Sequence, residues 1–271
     1  MAEQSMVCGL IFIKRGVVMS VTLKEILDTC NNLLRPEQFD DYCPNGLQVE
    51  GKPQVSKIVS GVSASYALLE AAVEQQADAV LVHHGYFWKG DDPRVLGMLR
   101  RRLGLLLAHD ISLIAFHLPL DAHPDFGNNV QLAQQLDIEI TGGLDNDSEH
   151  SIGLVGELPA AISAERFSAH IEARLGRHPV HVAGSARQIK TVAWCTGAAQ
   201  GFIERAAKIG VDAYISGEIS EPTTHIARET GVHFFAAGHH ATERFGVRAL
   251  GDLLANRLGV THQFIDIDNP A

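Results

Sequence analysis

The chain has 271 residues, 46% of them hydrophobic and 20% charged, which gives enough apolar surface for one large domain or two modest lobes. Lys plus Arg number 22 against 32 Asp plus Glu, a net charge of −10 that disfavours broad binding to nucleic acid or anionic membranes. A small anionic substrate stays open if metal ions supply local positive charge.

Residues 1–20, MAEQSMVCGLIFIKRGVVMS, read as a poorly ordered N-terminal extension. Their apolar run is short, and Glu3 before it with Lys14-Arg15 after it reverses a signal peptide's charge order. Met19 is an alternative start of translation. No run is long enough to span a bilayer. Cys8, Cys30, Cys43 and Cys195 form no CxxC pair, so a reduced, cytoplasmic setting is expected.

Thr22 and Glu25 make a capping-box pattern ahead of a helix whose apolar face includes Leu23, Ile26, Leu27, Leu33 and Leu34. A Pro-Asn-Gly turn in YCPNGLQVEG leads into a short strand. KIVSGV, ASYALLEAAVEQQ and DAVLVHH then read as strand, helix and strand, a β-α-β unit with parallel strands. The arginines at 100–102 read as a solvated helix end. ISLIAFHLPLDAHPDFGNN is a strand that breaks into a polar loop.

The plan then recurs. Ser163 caps a helix over 163–176, PVHVAG is a strand, and 191–218 aligns with 57–84 at an offset of 134. Identities fall at Ala64/Ala198, Glu70/Glu204, Ala72/Ala206, Asp78/Asp212 and Ala79/Ala213; Val49/Val182 and Gly51/Gly184 match at 133. Any two β-α-β units share part of this pattern, but the common order of elements favours an internal duplication. The expected fold is α/β, with two similar lobes facing each other across a crevice at the carboxyl ends of their strands. The boundaries are 1–20 for the extension, 21–130 and 131–237 for the lobes, and 238–271 for a C-terminal helix and strand that close the first lobe. VHFFAAG is the last lobe strand, and its following helix stops at Gly259.

Three strands thus end in loops bearing His or Asp, in a chain with 14 histidines. His239 and Glu243 in GHHATE stand at i and i+4, where an imidazole and a carboxylate can meet one ion. His83 and His84 end a strand, where neighbours point to opposite faces unless the backbone breaks, as Gly85 permits. Asp121 follows the third strand. Singly, each is as readily a surface or turn residue. Together, three His and two carboxylates on one sheet edge suit Zn, Fe, Mn, Ni or Co, and their number suits two ions better than one. No cysteine lies among them, which argues against a closed structural zinc site. The chain has no G-x-x-x-x-G-K-[ST], G-x-G-x-x-G or G-x-S-x-G motif.

PNGLQVEG, GVSAS, DAVLVHHGYFWKG, HLPLDAHPDFGNN, DAYISGE and AAGHHATER closely resemble the YbgI-type proteins of the GTP cyclohydrolase 1 type 2-like (NIF-three-like) family of dinuclear-metal proteins, from about residue 21 to Ala271. The resemblance implies two divalent metal ions per chain, held by His83, His84, Asp121, His239 and Glu243. It implies two α/β lobes without the inserted domain of longer relatives, and a ring-shaped homohexamer built as a trimer of dimers. It also implies a cyclohydrolase-type reaction, water attacking a nucleotide or related small molecule. Glu218 (the repeat's counterpart of His84), His117 and His225 are candidates for acid/base or supporting roles. Tyr86 and Trp88, with Phe87, are candidates to stack on a base, and Lys89 and Arg244, with Arg248, to meet phosphates. The alternative is a metal-binding protein without catalysis: a metallochaperone, a metal sensor or a scaffold ring.

Overall fold

The computed structural model describes residues 20–145 and 151–271, so all of the expected N-terminal extension but Ser20 lies outside the described residues. Local chemistry sets the first helix where the sequence places it. Thr22 Oγ1 accepts the Glu25 N–H at 3.1 Å, and the Glu25 carboxylate accepts the Thr22 N–H at 2.8 Å. The first half runs β1 (Val21–Thr22), α1 (Leu23–Leu34), β2 (Gly46–Val49), β3 (Gln54–Val55), β4 (Lys57–Ser63), α2 (Tyr66–Glu74), β5 (Ala79–His84), α3 (Gly97–Ala108), β6 (Ser112–Ala115), α4 (Leu118–Ala122) and α5 (Asn128–Gln135). The second runs β7 (Glu139–Gly143), β8 (Leu154–Ile162), α6 (Ala164–Leu175), β9 (Val180–Val182), β10 (Ile189–Cys195), α7 (Ile203–Ile209), β11 (Ala213–Ser216), α8 (Glu221–Thr230), β12 (His233–Ala236), α9 (His239–Leu258) and β13 (Thr261–Phe264). Ser163 caps α6 by accepting the Arg166 N–H, and α9 ends at Gly259 in the left-handed region.

Two sheets carry the molecule, a five-stranded one ordered β13-β4-β5-β6-β2 and a six-stranded one ordered β7-β8-β10-β11-β12-β9. Within them β4-β5-β6 and β10-β11-β12 are parallel, and each trio is flanked by an antiparallel edge strand, β2 on β6 and β9 on β12. The joints repeat as well as the order. Asp78 accepts the N–H groups of Ser56 and Lys57 at the start of β4; Asp212 accepts those of Lys190 and Thr191 at the start of β10. A Cβ on Gly51 would stand 2.4 Å from the Asp110 carbonyl oxygen, and one on Gly184 would stand 2.3 Å from that of Gly231. The matched Asp and Gly pairs therefore hold equivalent strand junctions, which only those residue types fit.

Helices cover both faces of each sheet. Along β5, Ala79 and Leu81 face the core shared with α1 and α9, while Val80 and Val82 face that of α2 and α3. Two helices cross between the lobes. Leu132 and Ala133 of α5 pack beneath the six-stranded sheet with Phe167 and Trp194. Val247, Leu250 and Leu254 of α9 pack beneath the five-stranded sheet. The helices meet where the Gly246 N–H donates to Asn128 Oδ1 at 3.0 Å, and a Cβ at Gly246 would stand 2.9 Å from the Asn128 backbone nitrogen. This crossing carries the first turn of α9 over the carboxyl end of β5.

The arginines at 100–102 sit inside α3, not at its end. Arg102 is half-buried, with its guanidinium 5.7 Å from the Tyr86 ring centroid. Ser60, His262 and Asp252 are linked in sequence by hydrogen bonds of 2.7 and 2.8 Å, the connectivity of a serine-hydrolase triad. Ser60 is wholly buried within β4, so this chain ties β13 and α9 to the sheet and presents no nucleophile.

Candidate metal centre

The cluster is built on Glu243. Gly238, at φ 98, turns the chain out of β12 into α9, whose first turn aligns His239 and Glu243 on one face. Glu243 is almost wholly buried, and its two oxygens face different groups. Oε1 lies 3.6 Å from His83 Nε2, which in turn lies 3.4 Å from Asp121 Oδ1. Oε2 lies 3.3 Å from His84 Nε2 and 3.1 Å from His239 Nε2. Two ligand triads result, His83/Asp121/Glu243 and His84/His239/Glu243, with the donor atoms of each within 4.8 Å of one another.

Each imidazole is anchored at Nδ1 so that Nε2 faces the cluster. His83 Nδ1 donates to the Phe116 carbonyl at 2.9 Å, and His239 Nδ1 to Glu218 Oε1 at 2.7 Å; His84 Nδ1 meets Ser63 Oγ at 3.0 Å. With Nδ1 carrying the proton, Nε2 offers a lone pair. Asp121 Oδ1 accepts from Asn128 Nδ2 at 2.9 Å and from Thr196 Oγ1 at 3.4 Å. His83 Nε2 and Glu243 Oε2 are fully buried and make no hydrogen bond. Orphaned donors and acceptors at such depth are costly, and their convergence fits a cation.

The buried carboxylates dominate the electrostatics. Burial alone would lower His83, but Asp121 and Glu243 outweigh it and raise it to about 9. Burial also works against His239, which Glu243 and Glu218 raise to about 9. Burial drives His84 down to about 3. It raises Asp121, whereas in Glu243 the imidazoles of His83 and His84 overcome it and hold the carboxyl well below its ordinary range. The two buried carboxylates draw positive charge onto whatever faces them, and this donor set can hold a metal ion.

Comparison with known proteins places this geometry. The family model described as Duf34/NIF3 (NGG1p interacting factor 3) matches residues 21–270. The chain belongs to the DUF34/NIF3 family. It is 55% identical over 253 residues to the "GTP cyclohydrolase 1 type 2 homolog" of Pseudomonas aeruginosa, covering 93% of this chain and 100% of the relative. Among solved structures, protein ybgI, itself described as of unknown function, superposes with a TM-score of 0.89 at 51% identity, covering 93% of this chain and 100% of its own. TTHA1606 from Thermus thermophilus superposes with a TM-score of 0.84 at 31% identity over the same shares.

In this DUF34/NIF3 chain the five ligand candidates come together, and the other candidates divide. Glu218 holds His239, and His117 joins the cluster, its ring centroid 5.1 Å from that of His83. Sequence reading missed the partner of His117, Asp41, whose Oδ1 lies 2.7 Å from His117 Nδ1. Asp41 is fixed in turn by Asn45 Nδ2 and the Leu118 N–H, and Asn45 Oδ1 accepts the His117 N–H. An acidic residue just before the Pro-Asn-Gly turn was the available signal, shared with Asp40. A cavity of about 590 Å³ opens on the cluster, with Trp88, Tyr42 and Phe202 in its wall.

Four candidates lie elsewhere. Tyr86 is buried, and its hydroxyl donates to the Ala64 carbonyl at 2.7 Å. Lys89 is exposed and outside the cavity wall. Arg244 is bound to Asp266 at 3.0 Å and to the Leu175 carbonyl at 2.6 Å. His225 lies within α8, paired with Glu221 one turn back at 2.7 Å. Among the described residues no helix is long and apolar enough to cross a membrane.

Proposed function

We propose that this cluster would hold two divalent metal ions through His83, His84, Asp121, His239 and Glu243, and that the protein is a metal-dependent hydrolase of a small molecule related to nucleotides. The observation behind it is the division of one buried carboxylate, Oε1 toward His83 and Asp121, Oε2 toward His84 and His239. The names of the relatives point to the same chemistry. Two such ions would supply a nucleophile at neutral pH. Phe116, Ser63 and Glu218 orient the candidate ligand imidazoles, and Asn128 and Thr196 orient Asp121. His117, held at Nδ1 by Asp41 and lining the cavity, is the acid/base residue, placed to give or take a proton at Nε2.

The active form in this reading is a ring of six chains. Exposed Phe87, Leu96 and Met98 around a cavity of about 540 Å³ supply an apolar face for such contacts.

The test is elemental analysis of untagged protein after reloading, for wild type, His83→Ala and Glu243→Ala, followed by turnover with nucleobases, nucleosides and nucleotides. Fewer than one metal per chain in the wild type sinks the two-ion reading. Two metals without turnover would favour a metal carrier or sensor.

A further inference from the structure

We propose that the substrate is a planar ring compound bearing at most one phosphate group, a free base, nucleoside or nucleoside monophosphate in its chemistry, and not a triphosphate. The inference rests on the metal-site reading above and narrows it. The cavity wall beside the cluster carries aromatic and apolar side chains, Tyr42, Trp88, Phe202, Leu118 and Ile152. Trp88 packs against His84 and His117, its ring centroid 5.9 Å and 5.0 Å from theirs. Tyr42, exposed at 62%, stands edge-on to His117 at 6.4 Å. These rings next to the candidate ligands offer a surface on which a flat molecule stacks while its polar edge meets the cluster.

Among the described residues no lysine or arginine lines this cavity. The nearby guanidinium groups are already engaged. Arg205 lies behind Phe202, 4.3 Å from its ring centroid, and is paired with Asp145. Arg244 is held by Asp266 and the Leu175 carbonyl. Among the described residues that line the cavity, no side chain then carries a fixed positive charge. Two divalent ions facing the carboxylates of Asp121 and Glu243 keep a surplus that matches one phosphate group. Each further phosphate would sit against an aromatic wall in a protein of net charge −10.

The experiment is calorimetric titration of the zinc-loaded full chain with guanosine, GMP, GTP and inorganic tripolyphosphate, with metal content measured before and after. GTP is expected to bind no more than about fivefold tighter than GMP, and tripolyphosphate not to displace GMP. Trp88→Ala is expected to weaken GMP by about fivefold or more with metal content unchanged, because stacking is lost while the ligand set is intact. The proposal is overturned if GTP binds more than about fivefold tighter than GMP, if tripolyphosphate competes, if Trp88→Ala leaves GMP affinity unchanged, or if no member of the series binds. A deficit of metal before any ligand is added marks instead the failure of the metal-site reading, and this proposal falls with it.

Discussion

Gly197→Ala tests the cluster without replacing a proposed ligand. Gly197 sits at φ +68, and a Cβ there would stand 2.2 Å from Glu243 Oε1 and 3.2 Å from His239 Nε2. The backbone has little freedom to yield. Its N–H donates to Thr242 Oγ1 at 3.1 Å, and its carbonyl accepts from the Gly217 N–H at 2.8 Å and Ser216 Oγ at 3.1 Å. A left-handed alanine costs about 1–2 kcal/mol. Forcing the buried Glu243 side chain off its rotamer adds about 0.5–1.5 kcal/mol, so metal-free protein is expected to lose about 1.5–3.5 kcal/mol in urea unfolding. A second effect falls on metal, because the carboxylate facing both triads has moved. Affinity measured by competition with a chelator is expected to drop at least about tenfold, the scale seen when a ligand's support is lost. A Gly197→Ala protein that binds two ions as tightly as wild type would refute the assignment of Glu243 as a metal ligand.

Three further perturbations separate support from ligation and fold from site. Glu218→Ala removes the acceptor of His239 Nδ1 and is expected to weaken metal binding about 10- to 100-fold, with Glu218→Gln intermediate, in the same chelator competition. Gly246→Ala would drive a Cβ to 2.5 Å from Asn128 Oδ1 where α5 crosses α9; about 1–3 kcal/mol of stability should be lost, read by urea unfolding. Asp212 supplies the pH test: burial opposes its ionisation, but the N–H groups of Thr191 and Lys190 overcome that and hold it below its ordinary value. A depressed carboxyl stabilises the fold above its unfolded pKa of about 3.9 and loses that contribution as pH falls through its lower folded value. Asp212→Asn should therefore cost about 1–2 kcal/mol at pH 7, with the gap to wild type closing below about pH 4 in urea titrations. A gap constant from pH 7 to pH 3 would show that the carboxylate charge is not what stabilises the junction.

What could be read from sequence was set locally, and what could not was set by distant parts of the chain. The α1 capping box, the Ser163 cap and the Gly259 stop each depend on residues within one turn. The repeated strands were legible because Asp78/Asp212 and Gly51/Gly184 do the same work at the same junctions. The aromatic run after β5 misled because Phe87 adopts φ 65, and the turn sends Tyr86 into the core while Trp88 lines the cavity. His225 lies within α8, which begins at Glu221, and pairs with Glu221 rather than with the cluster. Asp41 was invisible because its partner, His117, is 76 residues away and is brought to it only by the packing of β2 on β6. The partners of Arg244, a candidate to meet phosphates, are hidden for a similar reason: Asp266 and the Leu175 carbonyl that hold it are both remote in sequence.

Adjacent histidines on a strand start from opposite faces, yet at the tip of β5 the rings of His83 and His84 lie side by side, their centroids 4.5 Å apart. His83 continues the face of Leu81 toward α9, and His84 the face of Val82. Both face one carboxylate because α9 crosses the end of β5, so that Glu243 spans the strand tip. One oxygen then serves each face: His83, fully buried, shares Oε1 with Asp121 from α4, and the more accessible His84 shares Oε2 with His239. The paired histidines and the split carboxylate are thus one device. A helix that begins beside the six-stranded sheet brings that carboxylate to the end of β5, where one oxygen faces each imidazole.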